Sequence, residues 1–366
     1  VSSLVTTADV IIIGLGVHGS ASAASLARRG KRVVAIEQFG ERHTRGSSHG
    51  RTRMIRRAYP NPVWNDFVAQ AYDAWGALER ETGHTLFHRT GGLYAHRGES
   101  QLQSPRSEVV HDPARMAELM PALRVPAGYG AVYDPDAGVL EAEYALGALR
   151  SVARRHGAEL RFDEPVIGWD STAHGVEVRT ATGIFRAPRI VVSVGSWAAQ
   201  TFSQLAPLLE VWRILTLSVA PGQRAGMPPQ LGAFSIDRPE GLMFGIPDAA
   251  GNGLKIGVDA SDVWDPNVPV APPRADEIAM MRDLMATRVP GIDTTPAEAT
   301  ACLYTMTEDK RFIIGPLADA PDVVVVSACS GHGFKFGGAV GNAVADIVEG
   351  TPREDLDFIS TSRRGI

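Results

Sequence analysis

Residues 8–13, Ala-Asp-Val-Ile-Ile-Ile, form an apolar run short enough for one fully buried strand. It runs directly into Gly14-Leu15-Gly16-Val17-His18-Gly19. Residues 20–29 are alanine-rich and helical in character, and Gly30 stops them. Residues 31–36 read as a second strand with Glu37 at its end. Near the other end of the chain, residues 323–326 are four consecutive valines, again a buried strand. A glycine-rich turn, Cys329-Ser330-Gly331-His332-Gly333-Phe334-Lys335-Phe336, follows. Val340, Val344, Ile347 and Val348 then recur at helical spacing until Gly350 and Pro352. Two more strands are expected, one over residues 158–167 and one over 189–194. Residues 85–145 and 215–300 have another texture. In the latter, short runs at 215–219, 241–246 and 254–258 alternate with Pro/Gly turns.

This pattern predicts an α/β fold with an α+β part. A Rossmann-like nucleotide-binding domain (1–84, 146–214 and 301–366) carries an inserted, mainly antiparallel-sheet substrate domain (85–145 and 215–300). The glycine triplet lies in the required strand–turn–helix setting, with an acid at the end of the second strand. Gly14 would allow the tight turn, Gly16 the approach of a pyrophosphate, and Gly19 close helix–strand packing. Glu37 can accept the hydroxyl protons of an adenosine ribose. The unit does not separate NAD from FAD.

Composition narrows the class. A chain of 366 residues with 44% hydrophobic content can bury a large core, and its net charge of −5 argues against nucleic acid as a partner. Arg51, Arg53, Arg56 and Arg57 cluster, as suits an anionic cofactor or substrate. No run is long enough to cross a bilayer, and no basic-then-apolar leader is visible. With only two cysteines there is no disulfide framework. A cytoplasmic protein without a metal site is expected.

The turn at 329–336 frees the backbone for close approach and delivers a helix N-terminus, which favours negative charge. Together with Cys302-Leu303-Tyr304-Thr305, residues 46–56 (Gly-Ser-Ser-His-Gly-Arg-Thr-Arg-Met-Ile-Arg), Gly91-Gly92-Leu93 and Leu254-Lys255-Ile256-Gly257, it gives the chain its resemblance. Nearly end to end, the sequence resembles the monomeric sarcosine oxidase and N-methyltryptophan oxidase family of flavoproteins.

The resemblance implies FAD, attached covalently through the Cys302 sulfur; read alone, Cys302 is a small buried hydrophobe. It implies that Arg56 and Lys335 grip a substrate carboxylate, a fork plus a point charge. It places Lys255 on the flavin face where oxygen is reduced, Arg53 and His332 beside the ring, and Tyr304 in the substrate pocket. Gly14, Gly16, Gly19, Glu37, Ser47, Ser48, Val166, Gly331 and Gly333 complete the cofactor set. Cys329 matches no family function and is expected in the core. On the bland reading Arg56 is one charge of a solvated run, His332 a packed histidine, and Lys255 the outer side of a half-exposed strand. Leu254, Ile256 and Val258 alternate with Lys255 and Asp259, so the two charges share a strand face.

Two positions depart from the sarcosine oxidase pattern: Phe244 stands for a tyrosine and Asp259 for a histidine. An acid at the latter position resembles fructosyl amino acid oxidases, and carboxylates accept well from hydroxyls. The implied activity is an FAD-dependent amine oxidase. It would cleave the C–N bond of an N-substituted α-amino acid through an imine and reduce O2 to H2O2. N-methyl, fructosyl and cyclic substrates stay open, and a monomer is expected. An NAD(P)-dependent dehydrogenase and a non-catalytic flavoprotein are the alternatives from other classes.

Overall fold

A computed structural model describes residues 5–173, 175–219, 231–295 and 297–366. Parts of the expected segments 1–84, 146–214 and 215–300, namely 1–4, 174, 220–230 and 296, lie outside the described residues. A six-stranded sheet runs in the order Glu159–Arg161, Val33–Ile36, Val10–Ile13, Arg189–Val192, Val323–Ser327, Ile313–Pro316. Every pair is parallel except the last. The central strands are apolar on both faces because both are covered. Val10 and Ile12 pack toward the helices Val17–Arg28, Ala142–Arg155 and Gly337–Glu349. Ile11 and Ile13 point the other way, into the core shared with a four-stranded sheet. This is the Rossmann-like arrangement the periodicity predicts.

The eight-stranded sheet is ordered Glu298–Met306, Glu210–Ser218, Lys255–Val263, Met243–Ile246, Ala233–Ile236, Gly92–His96, Gly130–Asp134, Glu108–Val110. It is antiparallel except between Ala233–Ile236 and Gly92–His96. Leu254, Ile256 and Val258 share a core with Met281, Leu284 and Met285 of the helix Ala275–Arg288. Lys255 and Asp259 therefore take the face away from that helix, as the alternation requires. Between the two large sheets, Thr52–Ile55, Gly138–Glu141 and Phe87–Arg89 make a three-stranded sheet.

Some elements differ from expectation. Residues 158–167 form two strands, Glu159–Arg161 and Val166–Thr172, in different sheets. Asp163 turns the chain at φ 56° and Pro165 cannot continue a ladder, so the backbone leaves one sheet for the other. The strand Glu298–Met306, which carries Cys302, runs through position 301 within the eight-stranded sheet.

The fingerprint glycines have distinct steric reasons. Gly14 sits at φ 93°, and a Cβ there would lie 2.3 Å from the Ser193 carbonyl oxygen. A Cβ on Gly19 would lie 1.9 Å from the Gly14 carbonyl oxygen, so the first helix can approach the first strand only with glycine there. Gly147, inside the helix Ala142–Arg155, has nothing within 4 Å of its added Cβ. Gly19→Ala should thus destabilise the fold by about 1–3 kcal/mol of overpacking strain and lower the thermal midpoint. Gly147→Ala should leave it unchanged or raise it. Equal midpoints for Gly19→Ala and wild type in thermal unfolding would refute this packing.

Candidate active site

A cleft of about 1350 Å³ joins the two motifs. It opens at the C-terminal ends of the parallel strands, where open α/β sheets bind ligands. Gly14, Gly16, Glu37, Ser47, Ser48 and Val166 line one part of it. Arg56, Phe244, Asp259, Tyr304, Gly331, His332, Gly333 and Lys335 line another. Lys255 and Cys302 are not among the lining residues.

The nucleotide end is built from backbone and a few buried polar groups. The helix Val17–Arg28 starts at Gly16 with no side-chain cap on that residue. Ser48 instead reaches in, its Oγ accepting the Val17 N–H at 3.0 Å. Glu37 is buried; its carboxylate accepts the Leu15 N–H at 2.8 Å and the Phe39 N–H at 3.1 Å. Arg150 donates to the carbonyls of Leu15 at 2.6 Å and Glu41 at 2.5 Å. The loop is thus fixed from both sides, and its free first-turn N–H groups suit an anion. Arg150 carries no motif of its own, which is why sequence reasoning missed it.

The middle of the cleft is fixed by Arg53. Its guanidinium donates to the carbonyls of Ser47 at 2.8 Å, His49 at 2.6 Å and Thr52 at 2.9 Å, above the Phe334 ring. Ser47 Oγ donates to the Leu303 carbonyl at 2.5 Å, tying this loop to the strand of Cys302. Lys255 Nζ donates to the Thr52 carbonyl at 2.6 Å. Burial pushes the Lys255 ammonium well below the usual lysine range, and nearby Arg53 pushes it further. Burial raises the half-buried Cys302 thiol, against the pull of Arg53 and Lys255. Arg53, Lys255 and Cys302 are therefore electrostatic neighbours. His49, also in the cleft wall, is held down to about 4 by burial and then by the Arg53 and Lys255 charges. Cys329 corrects an expectation: it lies in the cleft wall, not in the core, and its Sγ accepts the Thr305 N–H at 3.4 Å. The tight turn that follows it holds it at the surface of the cleft.

At the far end Arg56, Lys335 and His332 meet around Tyr59. The Arg56 guanidinium carbon lies 5.2 Å from the Tyr59 ring centroid and 5.0 Å from that of Tyr94. Lys335 Nζ is 3.0 Å from Tyr59 Oη, and His332 Nδ1 is 3.1 Å from the same oxygen. Burial and the Arg56 charge hold the Lys335 ammonium well below its ordinary range. Burial and the Lys335 charge push His332 down to about 3. The turn that carries them needs its glycines: a Cβ on Gly333 would lie 1.7 Å from the Ala328 carbonyl oxygen, and Gly331 has φ 75° against the Tyr304 ring. Burial raises the Tyr304 hydroxyl well above its ordinary value. Phe244 covers Gly257 of the neighbouring strand, whose added Cβ would lie 2.1 Å from its ring.

Asp259 stands apart from Lys255. Four residues of strand separate them by about 13 Å, and no ion pair joins them. Burial raises the Asp259 carboxyl to about 6, opposed by Lys310 and Arg56, and its Oδ1 is buried without a hydrogen-bond partner.

Comparison with known proteins identifies the lineage of this architecture. The family of FAD dependent oxidoreductases known as DAO matches residues 9–347. The chain belongs to this family. Its relatives include the monomeric sarcosine oxidase of Streptomyces avermitilis, 33% identical, with 98% of each chain covered. They also include the N-methyl-L-tryptophan oxidase of Yersinia pestis, 30% identical, with 97% of this chain and 99% of the relative covered. Among solved structures, NikD, an unusual amino acid oxidase, superimposes with a TM-score of 0.83 at 23% identity, covering 97% of each chain. Amadoriase II, a fructosamine oxidase from Aspergillus fumigatus, gives 0.80 at 20%, covering 97% of this chain and 89% of its own. These last two share the fold.

FAD is the cofactor of the family, and the residues present fit it. Gly14 and Gly16 line the cleft with bare backbone beside the helix N-terminus, Gly19 lets that helix pack close to the strand, and the cleft is continuous from Glu37 to Lys335. No helix among the described residues is long and apolar enough to cross a membrane.

The Asp259 carboxyl yields a pH test. Its pKa is raised on folding, so the folded state binds its proton more tightly and stability falls as pH rises from about 4 to about 6. Asp259→Asn should raise the unfolding free energy of the ligand-free protein at pH 8 by up to about 3 kcal/mol, and its thermal midpoint with it. The gain should vanish near pH 3.5. A gain independent of pH would contradict the buried-carboxylate assignment.

Proposed function

We propose that this chain is an FAD-dependent oxidase of N-substituted α-amino acids. The observation that carries this reading is the pair of half-buried Arg56 and buried Lys335, both beside Tyr59, in the wall of the cleft that begins at the dinucleotide loop. A guanidinium and a buried ammonium without a carboxylate partner favour a carboxylate ligand, held by a fork and a point charge. FAD, when bound, would take two electrons and the hydrogen from the carbon beside nitrogen and pass the electrons to O2, leaving an imine and hydrogen peroxide. The imine would hydrolyse, which completes cleavage of the C–N bond.

The chain's own part is binding, orientation and charge. Docking on Arg56 and Lys335 fixes the reacting carbon, which is largely an effect of positioning. Tyr304 and Phe244 supply the walls of the substrate pocket. His332, held neutral beside the carboxylate anchor, leaves the amine free to react as its uncharged base. Arg53 and Lys255 place basic groups next to Cys302, where electron-rich oxygen would be stabilised. Gly14, Gly16, Gly19, Glu37, Ser47, Ser48, Val166, Gly331 and Gly333 hold the cofactor, and Cys302 bonds to it covalently through sulfur. The nucleotide-binding and substrate-binding parts divide as the sequence pattern suggests, with the strand of Cys302 bridging them. The protein acts as a cytoplasmic monomer on a small molecule.

Sarcosine-like N-methyl amino acids come first, because the relatives include several sarcosine oxidases, one of them 33% identical. A second reading, an N-substituent that carries hydroxyls, is favoured by the unpartnered Asp259 oxygen in the same cleft. Cyclic secondary amino acids are the third. Hydrogen peroxide release from sarcosine, a fructosyl amino acid and pipecolate tests the class. Turnover of at least one is expected, and turnover of none, without anaerobic bleaching of the yellow colour, would overturn it. Cys302→Ser should release FAD on acid precipitation, while the wild-type pellet stays yellow. Colour retained in the variant would refute the covalent bond. Lys255→Met should slow reoxidation by O2 at least tenfold more than reduction by substrate. Equal slowing of both steps would remove Lys255 from oxygen chemistry.

A further inference from the structure

Tyr59 is buried, and sequence reasoning gave it no role. Its hydroxyl nevertheless sits between two of the groups expected at the substrate end. The hydrogen bonds there have a fixed direction. The Lys310 carbonyl can only accept, so His332 Nε2, 2.8 Å away, carries the ring proton. The half-buried imidazole, held down to about 3, is neutral near pH 7, so its Nδ1 offers a lone pair. Tyr59 therefore donates its O–H to Nδ1 at 3.1 Å and presents an oxygen lone pair to Lys335 Nζ at 3.0 Å. The ring adds a third contact, with the Arg56 guanidinium over its face. Tyr59 itself is held firmly. Its N–H and carbonyl pair with Gln103 at 3.1 and 3.0 Å, and Trp64 and Phe336 pack on its ring. The preceding turn is fixed by fully buried Asp134, which accepts the Arg57 and Ala58 N–H groups at 2.6 and 2.8 Å.

We propose that Tyr59 is a positioning residue for the substrate carboxylate, orienting Lys335 and fixing the His332 tautomer through one hydroxyl while its ring supports Arg56. One Lys335 N–H is taken by Tyr59, which leaves the others aimed into the cleft. This rests on the reading that Arg56 and Lys335 anchor the carboxylate, so the test separates the two claims. Acetate, the simplest carboxylate, is titrated into the flavin-loaded protein and followed by the flavin absorbance. Lys335→Met should weaken acetate at least tenfold, Tyr59→Phe about tenfold, and the double variant no more than Lys335→Met alone. Wild-type affinity in Tyr59→Phe, or penalties that add in the double variant, would overturn the role of Tyr59. Wild-type affinity in Lys335→Met would overturn the anchor, and the role of Tyr59 with it. A readout on the unmodified protein guards against misfolded variants. Nitrogen NMR of wild-type His332 should show a neutral ring with its proton on Nε2 down to pH 5. A proton on Nδ1 would contradict the proposal.

Discussion

Basic groups without protein counter-charge, half-buried at Arg53, Arg56 and Lys255 and buried at Lys335, are the constraint on which this site depends. Among the described residues, Lys255, Lys335, Arg53 and Arg56 make no ion pair with any carboxylate. Lys255 and Arg53 spend their donors on backbone carbonyls, and Lys335 on a phenol. Elsewhere Arg213, almost fully buried, forks onto Glu277 at 3.0 and 3.1 Å, whereas buried Arg150 is met by backbone carbonyls. An ammonium in a low-dielectric wall costs several kcal/mol unless something anionic faces it. The cleft carries that cost at the end where a carboxylate would dock, and a helix N-terminus open to anions lies at the other end. Its electrostatics are incomplete without an anionic ligand.

Rigid packing keeps the charges in place. Arg53 and Lys255 sit on strands and Lys335 on the turn after a buried parallel strand, where close approach is secured by glycines that admit no Cβ. Arg53 closes the loop from Ser47 to Thr52 on itself, and Ser47 fastens it to the strand of Cys302. Asp134 does the same for the turn before Tyr59. Each fastening uses a polar group with satisfied partners, half-buried at Ser47 and Arg53 and fully buried at Asp134, which specifies one geometry where apolar contact would allow several.

Legibility in the sequence followed the range of the interactions. The strands at Val10–Ile13 and Val323–Ser327, and the glycine turns after them, announce themselves because buried strands are uniformly apolar and the turns admit only glycine. The face shared by Lys255 and Asp259 could be read from period-two alternation, but their separation along the strand keeps them from pairing. Residues 158–167 misled because a strand-like mix of apolar and charged positions does not report that Asp163 turns the backbone. Tyr59, Arg150 and Cys329 owe their places to contacts distant in sequence. Nothing local to Tyr59 reveals that Lys335 and His332 arrive at its hydroxyl.

Proton uptake on carboxylate binding tests the central claim most directly. An anion beside Lys335 restores the ammonium that burial and Arg56 disfavour, so binding should draw a proton from solution at a pH between the two pKa values. Calorimetric titration of the flavin-loaded protein with acetate, between pH 7 and 10 in buffers of different ionisation enthalpy, measures this. Net uptake approaching one proton in part of that range is predicted, and its loss in Lys335→Met. Binding with no proton exchange across the whole range would contradict a site built around uncompensated buried charge.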